Sequence, residues 1–113
     1  MILSVDDKSA MLQGLADRLN VDDSTVLTVY IDSDAAVIFE MPNPIQASIS
    51  SGVITFNLPS QVLATKSGVP TTAKLTNDAG SEIIFDVGSE IVLNKPEIYA
   101  GGYVNLTSLT IAI

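Results

Sequence analysis

From Thr25 onward, the chain consists of short apolar segments separated by residues that favour turns. The segments are about five to eight residues long, and residues 32–34, 51–52 and 77–80 are rich in the Asp, Asn, Ser and Gly that turns require. Segments this short, at this spacing, are typical of antiparallel β structure. We therefore predict a mainly β fold, an antiparallel β-sandwich or barrel of about eight short strands.

The predicted strands follow the apolar segments. Their ranges are 25–32, 35–41, 45–50, 53–58, 71–78, 81–87, 90–94 and a last strand that begins at Tyr103. The first is apolar on both faces, which is typical of a central strand and would bury Tyr30. In the hairpin 45–58, alternation predicts that Ile45, Ala47 and Ile49 face inward with Ile54, Phe56 and Leu58. Residues 59–70 are predicted to connect two sheets, with at most one helical turn.

One helix is predicted, over residues 6–20. Its apolar residues recur at helical spacing, and they are Met11, Leu12, Leu15, Ala16 and Leu19. Asp6 or Asp7 is the expected N-cap, and Asn20 the expected end. At 113 residues the chain is predicted to be one domain, with the helix at 6–20 and a β-rich body at 25–113.

The last segment changes its apolar face. Val104 and Leu106 share one parity, whereas Leu109, Ile111 and Ile113 share the other. A β-bulge near Thr107 and Ser108 would produce this switch, and so would a strand that passes from one packed surface to another. Because no charged residue follows Glu97, the strand is either buried in its own sandwich or held, from 109 to 113, by a neighbouring subunit.

Composition restricts the function. A formal charge of −8 argues against nucleic acid and anionic membranes as partners. The chain has neither histidine nor cysteine, so the usual nucleophilic triads are excluded. Only 16% of the residues are charged and 47% are hydrophobic, which indicates that some surface is hidden in an assembly. No secretory signal or membrane span is predicted.

The acidic residues are candidates for catalytic or metal-binding groups. The pairs Asp32 with Asp34 and Asp22 with Asp23 lie at predicted turns, where carboxylates ordinarily bond local backbone. Calcium could be bound by residues 32–34 together with Asp22, Asp23 or Asp78, but the spaced series of ligands is missing. We therefore expect no catalytic, cofactor or metal site, and no enzyme.

Tyr99 and Tyr103 flank a glycine pair and are candidates for exposure. Exposed tyrosines suit a sugar-binding platform, but they are also enriched at protein contacts, which we favour. Together with the tail, they give a predicted set of assembly contacts. Its members are Tyr99, Tyr103, Leu109, Ile111 and Ile113.

Three stretches together resemble a family of small virion proteins of tailed bacteriophages, encoded near the major capsid protein. They are MLQGLADRLN followed by LTVY, then NDAGSEIIFDVG, and finally IVLNKPEIYAGGYVNLTSLTI. The positions on the family's closing pattern are Leu93, Asn94, Ile98, Ala100, Gly101, Val104, Leu106, Ser108 and Thr110.

The resemblance implies a head decoration, or cement, protein without an active site. Such a protein binds the major capsid protein on the outer lattice, commonly as a homotrimer, and stabilises the head. The expected location is the capsid surface of the virion, after synthesis in the host cytoplasm. Two alternatives remain open: a tail or neck component, and a β-sandwich recognition module that binds glycan or a cell-surface ligand.

Overall fold

The computed structural model describes residues 2–88 and 90–113, and it confirms a mainly β, sandwich-like fold with one helix. The helix is α1 (Val5–Leu19). The strands are β1 (Val26–Ile31), β2 (Asp34–Glu40), β3 (Gln46–Ser50), β4 (Val53–Phe56), β5 (Val62–Leu63), β6 (Thr72–Thr76), β7 (Glu82–Asp86), β8 (Ile91–Leu93), β9 (Tyr103–Val104) and β10 (Leu106–Ala112).

The strands form two four-stranded sheets and one short ribbon. Sheet A has the order β2-β1-β6-β7, sheet B has the order β3-β4-β10-β8, and β5 pairs with β9. All of these pairs are antiparallel. Residues 59–70 connect sheet B to sheet A as predicted, but they contain strand β5 and no helical turn.

One apolar core joins the two sheets and the helix. Phe39 and Phe85 enter it from sheet A, Ile54 and Leu109 from sheet B, and Leu12 from α1. These side chains are almost fully buried, and burial of each is worth roughly 1.5–3 kcal/mol. The outer faces of both sheets remain exposed.

Helix α1 begins earlier than predicted. Ser4 is the N-cap, and its hydroxyl accepts the Asp7 N–H at 3.1 Å, so the two aspartates lie in the first turn. Asn20 ends the helix as predicted, through a bond from its N–H to the Ala16 carbonyl. Met11 was predicted on the apolar stripe, but its side chain is 56% exposed. The buried stripe is narrower and consists of Leu12, Ala16 and Leu19.

Three strand pairs contain a register shift. Shifts occur at Val29/Tyr30 between β1 and β2, at Gln46/Ser48 between β3 and β4, and at Leu106/Ser108 between β10 and β8. The last lies where a bulge was one of the two explanations given for the change of apolar face. The second makes one prediction wrong: the shift turns Ala47 outward, although alternation had placed it inward.

Two further buried positions were predicted wrongly. Leu58 is 47% exposed because β4 already ends at Phe56. There the Asn57 N–H donates to the Ile45 carbonyl at 2.8 Å. Tyr30 is only half-buried, and its ring lies 5.7 Å from the Lys74 ammonium nitrogen.

Candidate assembly surface

Strands β5 and β9 form a two-stranded ribbon with one buried and one exposed face. Val62 pairs with Val104, and Val104 is buried in the core. Leu63 pairs with Tyr103, and these two side chains are 48% and 55% exposed. Since paired residues of an antiparallel ribbon lie on the same face, Leu63 and Tyr103 form one exposed apolar pair. We call this pair, together with Tyr99, the tyrosine ribbon.

The loop before β9 is hydrogen-bonded through its backbone to the segment after β5. The Ala64 N–H donates to the Gly102 carbonyl at 2.9 Å, and the Gly101 N–H donates to the Ala64 carbonyl at 2.8 Å. Ile98 and Gly68 exchange both of their backbone bonds at 2.9 Å, and Ile98 is fully buried. The turn that carries Tyr99 is therefore held in place by main-chain bonds and a core anchor.

Tyr99 is exposed and interacts with an acid of its own loop. Its hydroxyl is hydrogen-bonded to Glu97, and this bond and the negative charge of Glu97 raise the pKa of Tyr99 above its ordinary value.

The other three predicted contacts lie elsewhere. Leu109 is 1% exposed and belongs to the protein's own core, so in this fold it cannot contact another subunit. Ile111 is half-buried against the same core. Ile113 is 43% exposed and lies at the β3–β4 turn, where its N–H donates to the Gly52 carbonyl at 3.0 Å. The five residues therefore do not form one surface.

Strand β10 is paired within its own chain along its length, with β8 on one side over residues 106–109 and with β4 on the other side over residues 110–112. Thr110 pairs with Thr55 of β4, and Leu109 pairs with Ile91 of β8. Of the two possibilities raised by the sequence, the structure therefore shows the strand inside its own sandwich.

The outer face of sheet B is a surface that the predicted contacts missed. One row across the sheet is Ser48–Thr55–Thr110, and the next is Ser50–Val53–Ala112. The row between them contains buried Ile54, so these two rows point outward. Val92 and Ser108 are paired and extend the face onto β8. The uncharged face consists of Ser48, Ser50, Val53, Thr55, Val92, Ser108, Thr110 and Ala112.

A sequence signal for this face exists. Residues 41–65 and 98–113 contain none of the chain's five basic and thirteen acidic residues. These two stretches supply β3, β4, β5, β9 and β10, so the fold collects them into sheet B and the tyrosine ribbon. Only the second stretch contributed to the sequence-based prediction. The face could not be predicted, because nothing in the sequence indicates that β4 and β10 are neighbours.

The acidic residues considered for calcium fall into two separate places, Asp32 and Asp34 in one and Asp22, Asp23 and Asp78 in the other. Asp32 and Asp34 lie at the turn after β1, whereas Asp22 and Asp23 lie before the start of β1, at its opposite end. Six residues of extended chain separate the ends by roughly 20 Å. Among residues 2–88 and 90–113, no group of three or more acids is placed to hold a metal ion.

Asp22 makes local hydrogen bonds, as its turn position predicted, whereas Asp23 is bonded from a distant loop. The Ser24 hydroxyl and N–H both donate to the Asp22 carboxylate, and these bonds lower the pKa of Asp22. The Asn43 side-chain amide donates to Asp23 at 3.2 Å. The Ser24 hydroxyl also accepts the Asp78 N–H at 2.9 Å, which joins the β6–β7 turn to this loop.

Two shallow grooves border the candidate surface, the first at Val92 of the uncharged face and the second at Val62 of β5. One, of about 390 Å³, is mainly apolar and is lined by Val69, Pro70, Val87, Gly88, Val92, Leu93, Lys95 and Pro96. The other is lined by Ile38, Glu40, Ser60 and Val62. Neither is lined by a tyrosine.

Comparisons of the chain with family models, with curated proteins and with solved structures found no match. Within the described residues, no helix has both the length and the apolar character needed to cross a membrane.

Proposed function

We propose that the protein is a non-enzymatic structural component of a phage virion, a head decoration protein that assembles through the uncharged face. The observation that carries the proposal is this face itself, eight uncharged side chains across sheet B in a chain of net charge −8. Depletion of charge is the compositional mark of interface centres. If two copies of this acidic protein met through another, acidic part of the surface, their negative charges would face and repel each other.

The tyrosine ribbon supports an assembly role beside that face. Strand β9 leads into β10 after one residue, so the ribbon and sheet B are continuous along the chain. Tyrosine is enriched at interfaces because it is both apolar and a hydrogen-bond donor. A contact of about 800 Å² per partner would cover roughly one eighth of the 6183 Å² surface. Many such modest contacts, repeated over a lattice, suit a protein that stabilises a shell.

The finer parts of the proposal rest on the resemblance of the three sequence stretches. They are the role of a phage decoration protein, the major capsid protein as partner, a homotrimeric state and a place on the capsid surface. A glycan-binding module would need a polar groove beside exposed tyrosines. The two grooves described above are mainly apolar, and neither has Tyr99 or Tyr103 in its lining. This favours assembly over sugar binding.

The test is the solution mass by sedimentation, measured alone and with purified heads of the phage that encodes the chain. We expect a homo-oligomer that co-sediments with heads. Thr55→Glu places a charge in the middle of the uncharged face and should abolish assembly, head binding or both. Thr28→Glu is the matched control, since Thr28 is also an outward-facing threonine on an inner strand, but of sheet A.

A strict monomer without affinity for heads would refute the proposal. An oligomer that binds tails or necks but not heads would move the protein to that part of the virion. Equal effects of Thr55→Glu and Thr28→Glu would show that the uncharged face is not the contact.

A further inference from the structure

Helix α1 carries a second stripe of residues, which faces away from the core. Asp7, Met11, Gly14 and Arg18 follow one another at spacings of four, three and four residues, so they lie on one side of the helix. All four are exposed, and the Met11 side chain is 56% exposed. The same spacing forms the contact seam of a coiled coil. We call these four residues the outer seam.

No contact within the chain requires a glycine at position 14. A Cβ atom added to Gly14 would meet no atom within 4 Å, and its φ is not positive. Glycine in the middle of a helix is less favourable than alanine, because it loses more backbone freedom on folding. A residue without a side chain leaves a hollow on the helix surface, and Met11, one turn away, is a flexible apolar side chain that can fill such a hollow. The outer seam therefore presents one knob and one hole.

The outer seam is complementary to itself in one direction only. If two copies of α1 pack antiparallel, Asp7 of each copy lies opposite Arg18 of the other, and Met11 of each lies opposite Gly14 of the other. If they pack parallel, Asp7 faces Asp7 and Arg18 faces Arg18, and these like charges repel each other. Antiparallel packing also sets the positive end of each helix dipole beside the negative end of the other. The charges therefore favour a second copy in the antiparallel orientation.

The charged ends of the outer seam can reach a second copy. The Arg18 guanidinium donates one N–H to the Ala79 carbonyl at 3.4 Å, and a guanidinium has five such donors, which leaves others for a carboxylate. The Asp7 carboxylate is on the exposed side of the first turn. Asp6 and Asp17 lie about a quarter turn from the seam. Their repulsion across a helix pair therefore passes through solvent, where salt screens it.

We propose that α1 packs against α1 of a second copy, antiparallel about a two-fold axis that passes between Met11 and Gly14. Met11 of each copy fills the hollow at Gly14 of the other, and an ion pair between Asp7 and Arg18 closes each end. Both copies use the same residues, so the contact is isologous. It is an exception on an acidic surface, because the outer seam carries one acid and one base.

The contact is small, since one pair of short helices buries less area than a standard interface, and it is therefore weak between isolated chains. Where several copies are already held together, several outer seams act at once, and the raised effective concentration strengthens each contact. Oligomers formed through the uncharged face would thus be joined pairwise through their helices. This joining rests on the proposed function, whereas the contact between two helices does not.

The chain contains no cysteine, so introduced cysteines report the contact without background. Met11→Cys and Gly14→Cys chains, both carrying Thr55→Glu to disable the uncharged face, are mixed and oxidised in a glutathione buffer. One Met11–Gly14 layer stays intact in this mixed pair. We expect the disulfide between positions 11 and 14 to form at least about tenfold faster than disulfides between like positions, because antiparallel docking raises the effective concentration of this pair alone. Gln13→Cys, exposed on another side of α1, is the matched control.

Charge variants test the two ends of the outer seam. Asp7→Arg in both chains, or Arg18→Asp in both chains, sets like charges at both ends and should slow the disulfide between positions 11 and 14 by about tenfold. A third mixture puts Asp7→Arg in the Met11→Cys chain and Arg18→Asp in the Gly14→Cys chain. Opposite charges then meet at both ends, so the rate should recover. Circular dichroism checks that every variant keeps its helix.

Three results would overturn the contact. They are a rate between positions 11 and 14 no faster than that of Gln13→Cys, a preference for disulfides between like positions, which indicates parallel packing, and no recovery in the third mixture. Because Thr55→Glu is present throughout, failure of the outer seam is separate from failure of the uncharged face, which sedimentation reports.

Discussion

At the scale of single residues, the junction between α1 and β1 depends on a buried hydroxyl. Thr25 is 4% exposed, and its Oγ1 donates to the Leu19 carbonyl at 2.7 Å. Leu19 is the last residue of the helix, where carbonyls have no partner within the helix. The Thr25 hydroxyl therefore satisfies an acceptor that would otherwise be buried without a bond.

We expect Thr25→Val to lower the free energy of unfolding by about 1–3 kcal/mol, because the shape is kept while the Leu19 carbonyl loses its donor. Urea unfolding followed by circular dichroism measures the change. Thr28→Val, on the outward face of β1, is the control and should alter stability by less than about 0.5 kcal/mol. Equal losses in the two variants would show that the buried hydrogen bond is not the cause.

The position of Asn20 was predictable from the sequence, but the partners of its side chain were not. Its place at the helix end was predicted from the sequence and is confirmed. Its side chain also accepts the Ile45 N–H at 2.7 Å and donates to the Gln46 amide oxygen at 2.6 Å. Those partners follow it by 25 and 26 residues, so local spacing gives no sign of them.

At the scale of elements, hairpins were predictable and isolated pairings were not. The β3–β4 and β6–β7 hairpins follow from alternation and from the turns at residues 51–52 and 77–80, which lie between the paired strands. Strand β5 was missed because two residues carry no periodicity and its partner β9 is far along the chain. The exposed Leu63 was missed for the same reason, whereas Tyr99 and Tyr103 were recognised from their residue type.

Of the register shifts in β10 and β3, the first was predictable from the sequence and the second was not. The shift in β10 was predictable because apolar residues on both sides of it mark the change of face. The shift in β3 was not, because Ala47 is small enough to be tolerated on either face. Alternation in a segment of mixed Ser and Ala therefore fixes the strand but not its register.

Deletion of residues 109–113 tests the place of β10. It removes buried Leu109 and all of the pairing between β4 and β10, so we expect loss of the folded state rather than loss of assembly alone. Deletion of Ile113 alone removes one exposed side chain and a single backbone bond to Gly52, and should remain folded. Circular dichroism and thermal unfolding distinguish these results. A folded oligomer after the longer deletion would contradict the role assigned to β10.

At the scale of the whole molecule, charge is divided between two sides. Residues 41–65 and 98–113, which form most of sheet B and the tyrosine ribbon, contain no charged residue. The thirteen acids lie on the helix, on sheet A and in the loops. Only five basic residues oppose them. The acids of one molecule therefore repel one another across a limited part of its surface.

We expect added salt to raise the melting temperature at pH 7. Raising NaCl from about 10 mM to about 150 mM shortens the screening length from roughly 30 Å to roughly 8 Å, which weakens repulsion among the acids. Calorimetry at fixed protein concentration measures the effect. Near pH 4.1, where the net charge vanishes, the same salt step should have little effect. A fall in melting temperature with salt at pH 7 would mean that attractive pairs dominate.

The position of β10 has a consequence for the order in which the protein folds. Hairpins in both sheets close over short loops, but sheet A is complete only when β1 meets β6, and sheet B only when Thr110 reaches Thr55, about half the chain away. Pairing over such a separation is slow because loop closure precedes the contacts that compensate it. Until that step, the β3–β4 hairpin exposes the edge that β10 later occupies, together with Ile54 and Phe56. The docking of β10 therefore closes an edge at which a newly made chain is open to aggregation.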